Sequence, residues 1–121
     1  MLVPDDQAGP RKIPLVFFRT IGGAEPVREW LLSLDVDDRK AIGFDLMQVQ
    51  FGWPVGMPLC RSLGNGLWEL RTSLPSRTIA RVIVCFVDGE LVALNGFIKK
   101  TQKAPRQEID TALKRKQEYE A

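Results

Sequence analysis

The sequence predicts a single α+β domain, on three observations. Apolar residues recur at helical spacing between residues 26 and 49, the period changes to two from residue 59, and an amphipathic stretch follows Pro105. A chain of 121 residues fits one domain and buries about two-thirds of its unfolded surface without needing a metal or disulfide.

Residues 1–12 carry Pro4, Asp5, Asp6, Gly9 and Pro10 and are expected to form a flexible N-terminal arm, leaving residues 13–121 as the domain. Leu15-Val16-Phe17-Phe18 is a short β-prone run closed by Gly22-Gly23. Pro26 suits the first turn of a helix, and Val27, Trp30, Leu31 and Leu34 follow at three- and four-residue steps. Asp35 is a good N-cap for a second helix running through Ile42, Leu46 and Val49. The segment Gly52-Trp53-Pro54-Val55-Gly56-Met57-Pro58 ends this helical hairpin.

Three strands are expected next, at Leu67 to Thr72, Thr78 to Val87 and Leu91 to Ile98. Asp88-Gly89 signals a two-residue hairpin, Ser73 to Ser76 a looser turn, and short turns imply an antiparallel meander. A C-terminal helix presents Ile109, Ala112, Leu113 and Tyr119 on one face. The expected order is β-α-α-β-β-β-α, with the helices on one face of the sheet.

Composition narrows the chemistry. Without histidine there is no Ser-His-Asp or Cys-His triad and no histidine metal site. No carboxylate cluster suggests a metal, and no cofactor is implied. Cys60 and Cys85 stand 25 positions apart in apolar surroundings and are expected to be buried free thiols of a reducing cytosol. No stretch has the length of a membrane span, and Met1-Leu2-Val3-Pro4-Asp5-Asp6 has no apolar signal region, so a cytoplasmic protein is expected. Lys and Arg number 17 against 15 Asp and Glu, a net +2. The excess lies in the C-terminal half: Lys99, Lys100, Lys103, Arg106, Lys114, Arg115 and Lys116 face only Glu108 and Asp110, which points to a polyanionic partner or to a solvated helix face.

Strand alternation sorts the remaining polar residues. Trp68 and Leu70, Val82 and Val84, and Val92 and Leu94 are expected to face the helical hairpin. Glu69, Arg71, Arg81, Asn95, Phe97 and Lys99 then gather on the opposite face. Glu69 can pair with Arg71 or Arg81, but two guanidiniums leave positive charge over. Such a face suits RNA, with phosphates on Arg and Lys and a base stacked on Phe97, although Phe97 fits a small satellite core equally well.

The string Gly64-Asn65-Gly66-Leu67-Trp68-Glu69-Leu70-Arg71, then Arg81-Val82, then the run from Gly96 through Phe97, Ile98, Lys99 and Lys100 to Pro105, resembles the HigB-type branch of the RelE/ParE toxin superfamily, whose members are often phage-derived. The resemblance spans about residues 14 to 120. It implies a RelE-like fold and the toxin of a type II toxin–antitoxin pair, a ribosome-dependent, metal-independent endonuclease that cuts mRNA and inhibits translation. Its partners would be the ribosome, mRNA and a helix-turn-helix, HigA-like antitoxin, with no membrane involved.

Residue by residue, the resemblance puts Arg71, Arg81, Lys99 and Lys100 in the catalytic region; on the strand-face reading, Glu69 orients Arg71 or acts as base. Phe97, Asn95, Lys103 and Arg106 would contact RNA. Guanidinium forks stabilise a pentacoordinate phosphorane, and flanking cations push a lysine toward the pKa a base needs. The chain departs from several relatives in having no histidine and only Tyr119 as tyrosine. Two other readings remain: a ParE-like inhibitor of DNA gyrase, and a non-enzymatic phage-derived accessory protein.

Overall fold

A computed structural model describes residues 12–99 and 105–121, so the arm expected at the N-terminus lies almost wholly outside the described residues. The elements are β1 (Leu15–Phe17), α1 (Pro26–Leu32), α2 (Val36–Gly52), β2 (Cys60–Gly64), β3 (Leu67–Ser73), β4 (Ile79–Val87), β5 (Glu90–Lys99) and α3 (Arg106–Glu120). The α+β class holds.

Local chemistry explains most boundaries. Pro26 occupies the first turn of α1, where its missing N–H costs nothing, and the Ser33 hydroxyl donates to Trp30 O at 2.6 Å where the helix stops. Asp35 takes the N-cap position of α2, but its side chain makes no capping hydrogen bond. Instead the buried Asp38 carboxylate accepts from Ser76 N at 3.3 Å, which ties the helix to the β3–β4 turn. The β2–β3 and β4–β5 hairpins turn on Asn65-Gly66 and Asp88-Gly89, with both central residues at positive φ, as two-residue turns of the type I′ hand require.

The five strands lie in the order β1-β5-β4-β3-β2. Strands β2 to β5 form an antiparallel meander, one strand longer than expected, and β1 adds to its edge in parallel with β5, pairing Leu15, Val16 and Phe17 with Leu91, Val92 and Ala93. Both faces of the sheet are covered, which corrects the expectation of helices on one face only. On one side α1 and α2 bury Val27, Leu31, Ile42, Leu46 and Val49 against Leu70, Val82, Val84, Leu91 and Ala93. On the other, α3 brings Ala112, Ile109 and Leu113 over Leu67, Ile83, Cys85, Val92, Leu94 and Phe97.

Val92 and Leu94 are therefore buried, as expected, but under α3 rather than under the hairpin. The reason is a bulge. Ile83 pairs with Asn95 and Val84 with Ala93, which leaves Leu94 as the extra residue and reverses the parity of β5. Beyond the bulge the expected alternation returns, with Gly96 packed against the Trp30 ring and Asn95 and Phe97 on the α3 side.

Helix α2 is apolar on two sides. Ile42, Leu46 and Val49 enter the core, while Val36, Phe44, Met47 and Phe51 form a solvent-exposed row on the opposite face. Among the described residues no helix is long and apolar enough to cross a membrane.

Candidate functional site

Strand register converts scattered charges into a cluster. Arg61 on β2 lies opposite Glu69 on β3, and Arg71 on β3 lies opposite Arg81 on β4, with Arg81 in turn opposite Phe97. All of this belongs to the α3 side of the sheet, because Leu70 and Val82, their neighbours in sequence, face the hairpin.

At its centre is a buried ion pair. Arg81 Nη1 donates to Glu69 Oε1 at 3.0 Å, and both side chains are fully excluded from solvent. Arg61 Nη2 reaches the same oxygen at 3.9 Å from a partly exposed side chain. Of the two alternatives for Glu69, the partner is Arg81 and not Arg71. Glu69 Oε2 has no hydrogen-bond partner. Two guanidiniums, from the strands on either side of β3, thus approach one carboxylate.

Arg71 is different. Its side chain is half-buried, its Nε lacks a hydrogen-bond partner, and among the described residues it forms no ion pair. It lines a cleft of about 420 Å³ together with Asp45 of α2, Pro58 and Leu59 ahead of β2, Ser73 at the end of β3, and Ile79 at the start of β4. Ile79 is also the backbone partner of Lys99, so the last residue of β5 lies at the cleft end of the sheet. A guanidinium held partly away from water with unused donors is a ready anion ligand, since leaving a buried donor unmade is costly.

The other expected RNA contacts are placed as follows. Asn95 is tied to α3: its Nδ2 donates to Glu108 O at 3.0 Å and to Glu108 Oε1 at 2.8 Å, while its Oδ1 accepts from Gly96 N at 3.0 Å. Arg115 Nη1 donates to Leu94 O at 2.8 Å and fastens α3 over the bulge, and burial lowers its pKa while Glu108 opposes that shift. Phe97 is 8% exposed and packs in the core beneath α3, so it is covered instead of lining an open groove. Arg106 is well exposed and meets Asp110 at 3.6 Å. The side chain of Lys99, and Lys100 and Lys103 altogether, lie outside the described residues.

Arg61 and Asp45 join this region without having been singled out in the sequence. Arg61 depends on β2, whose Cys60-Arg61-Ser62-Leu63-Gly64 lacks strong strand formers, and Asp45 is one of several acids on α2. Among the described residues no group of three or more metal-ligating side chains comes together.

Residues 29–117, from within α1 to near the end of α3, match the family model described as phage derived protein Gp49-like (DUF891). Comparison with curated proteins finds no match.

Proposed function

The chain belongs to the Gp49-like phage-derived family, a RelE/ParE-like toxin family, and from that premise we propose that it is the toxin of a HigB-type toxin–antitoxin pair and cuts mRNA on the ribosome. The observation that carries this reading is the unpartnered Arg71 guanidinium in the wall of a cleft of about 420 Å³.

Cleavage by 2′-oxygen attack needs the phosphate held in line, the phosphorane charge stabilised and the 5′-oxygen protonated. Arg71 supplies the charge stabilisation, with a planar fork that takes two phosphate oxygens at once. Glu69 and Arg81 act one step back. Their buried pair fixes the β3–β4 ladder beside Arg71 and keeps Arg81 from competing for the phosphate. Arg61, at the partly exposed edge of the cluster, adds positive potential. Proton transfer falls to Lys99, the last residue of β5, or to Lys100, which follows it in sequence. No resident metal enters this scheme. The ribosome presents the mRNA, and a helix-turn-helix antitoxin neutralises the toxin by covering the cleft or the basic 99–116 region.

The test is primer extension on mRNA after induction, paired with single-turnover cleavage on programmed ribosomes. Discrete cuts that vanish with Arg71→Ala support the reading. Intact mRNA together with gyrase-dependent DNA breaks would replace it with the gyrase-directed alternative.

A further inference from the structure

The Arg71 cleft contains a second charge that the cleavage chemistry does not use. Asp45, half-buried on α2, lines the same cleft, yet it makes no ion pair with Arg71 or with any other described residue. A cation and a carboxylate thus line one space without pairing, and its other lining residues are Pro58, Leu59, Ile79 and Ser73. The volume is in the range of small-molecule pockets, and the mixture of apolar wall and a few polar groups is their usual make-up.

The occupant must carry an anionic group for Arg71, a flat apolar body for the three aliphatic walls, and hydrogen-bond donors for Asp45. We propose that the cleft binds a guanine nucleotide of the RNA, its phosphate on Arg71 and its Watson–Crick edge on Asp45; this rests on the RNA-cleaving reading above. An ionised carboxylate only accepts hydrogen bonds, through two oxygens side by side. Guanine alone among the four bases presents two adjacent donors, N1–H and N2–H. Adenine offers one donor beside the acceptor N1, cytosine one beside the acceptor N3, and uracil a single N–H between two carbonyls. Each of these turns an acceptor toward the carboxylate, and a site built for donors rejects such ligands strongly. Asp45 is therefore a base-selecting residue and Arg71 the phosphate anchor.

The experiment titrates 3′-GMP, 3′-IMP and 3′-AMP into the full chain and reads affinity by calorimetry or NMR shifts. The expected order is GMP, then IMP, then AMP, with GMP ahead of AMP by about tenfold, the scale of one bidentate base contact. Asp45→Asn should reverse the GMP and AMP order, because an amide can accept from adenine N6–H and donate to N1. Arg71→Ala should weaken all three alike. Equal affinities, no binding of any of the three, or an unchanged order in Asp45→Asn overturns the proposal. The parallel assay on programmed ribosomes separates the two claims. Guanine-selective binding by a chain that cuts no mRNA sinks the nuclease reading and keeps the cleft assignment, whereas cleavage without any purine preference in nucleotide binding does the reverse.

Discussion

Gly96 and Trp30 touch so closely that a Cβ on Gly96 would lie 2.5 Å from ring atoms Cε3 and Cζ3 of the indole. Trp30 is fixed by its place on α1, and Gly96 lies two residues beyond the β5 bulge, so neither side has slack. Gly96→Ala should destabilise the fold by about 1–3 kcal/mol, the usual range for overpacking. Urea denaturation checks this, and a companion Trp30→Leu change should recover part of the loss by making room.

The Glu69–Arg81 pair makes a different kind of prediction. Removing one partner takes away the other's closest opposite charge in the core, so Glu69→Ala or Arg81→Ala should each cost about 3–5 kcal/mol. Replacing both with apolar residues of similar volume, Glu69→Leu with Arg81→Met, should cost far less than the two single changes combined. A double-mutant cycle measures the difference, and additive losses would show that the pair is not coupled.

Arg71 should behave oppositely to Arg81. With no ion pair to another described residue, Arg71→Ala should leave stability within about 0.5 kcal/mol of wild type. Single-turnover cleavage on ribosomes should fall by about 10²–10³, the effect of losing one preorganised donor. Arg71→Lys keeps the charge but loses the fork, so it should recover little. The dependence of ribosome affinity on salt should change only slightly, because other cations carry the docking charge.

Burial pushes the thiols of Cys60 and Cys85 up to about 11 from an ordinary value of 9.0. The neutral thiol is thus favoured more in the folded state than in the unfolded one. This contribution to stability is fully present below about pH 9 and is lost as pH rises through 11. Denaturation midpoints should fall across that window, and Cys60→Ala with Cys85→Ala should flatten the slope. Iodoacetamide at pH 8 should label neither cysteine until the chain unfolds.

The outward row on α2 can be tested by removing it. Phe44→Ser and Phe51→Ser should shift stability by less than about 0.5 kcal/mol each, as expected for side chains that contribute little to the core. Ile42→Ala on the core face of the same helix should cost about 2–5 kcal/mol.

What the sequence disclosed follows the range of its signals. Helix spacing in residues 26–49 and the Asp88-Gly89 turn are local, and α1, α2 and the β4–β5 hairpin fall where they indicate. The bulge at Leu94 leaves no local mark, because Leu91 to Ile98 alternates well enough in either parity; only pairing with β4 decides it. The parallel seat of β1 and the crossing of α3 to the second face are tertiary choices of the same kind. Within the site, Glu69, Arg71 and Arg81 were legible because a charge on a central strand demands a partner or a ligand. Which of the arginines Glu69 holds was not, and neither was the convergence of Asp45 and Arg71 on one cleft, which depends on how α2 packs against the sheet.

The parallel pairing of Phe17 with Ala93 spans 76 positions of chain. During translation at about 5–20 residues per second, the first strand therefore waits roughly 4–15 s for the neighbour that satisfies its backbone. Contacts of such long sequence separation also form slowly once both partners are present, because the intervening loop must close first. A product released before β5 is synthesised has no site for β1 and leaves the outer edge of β4 unpaired, an open template for other chains. Synthesis must therefore pass β5 before the sheet closes, and copies cut short ahead of it are fated for aggregation or proteolysis rather than for a partly working domain.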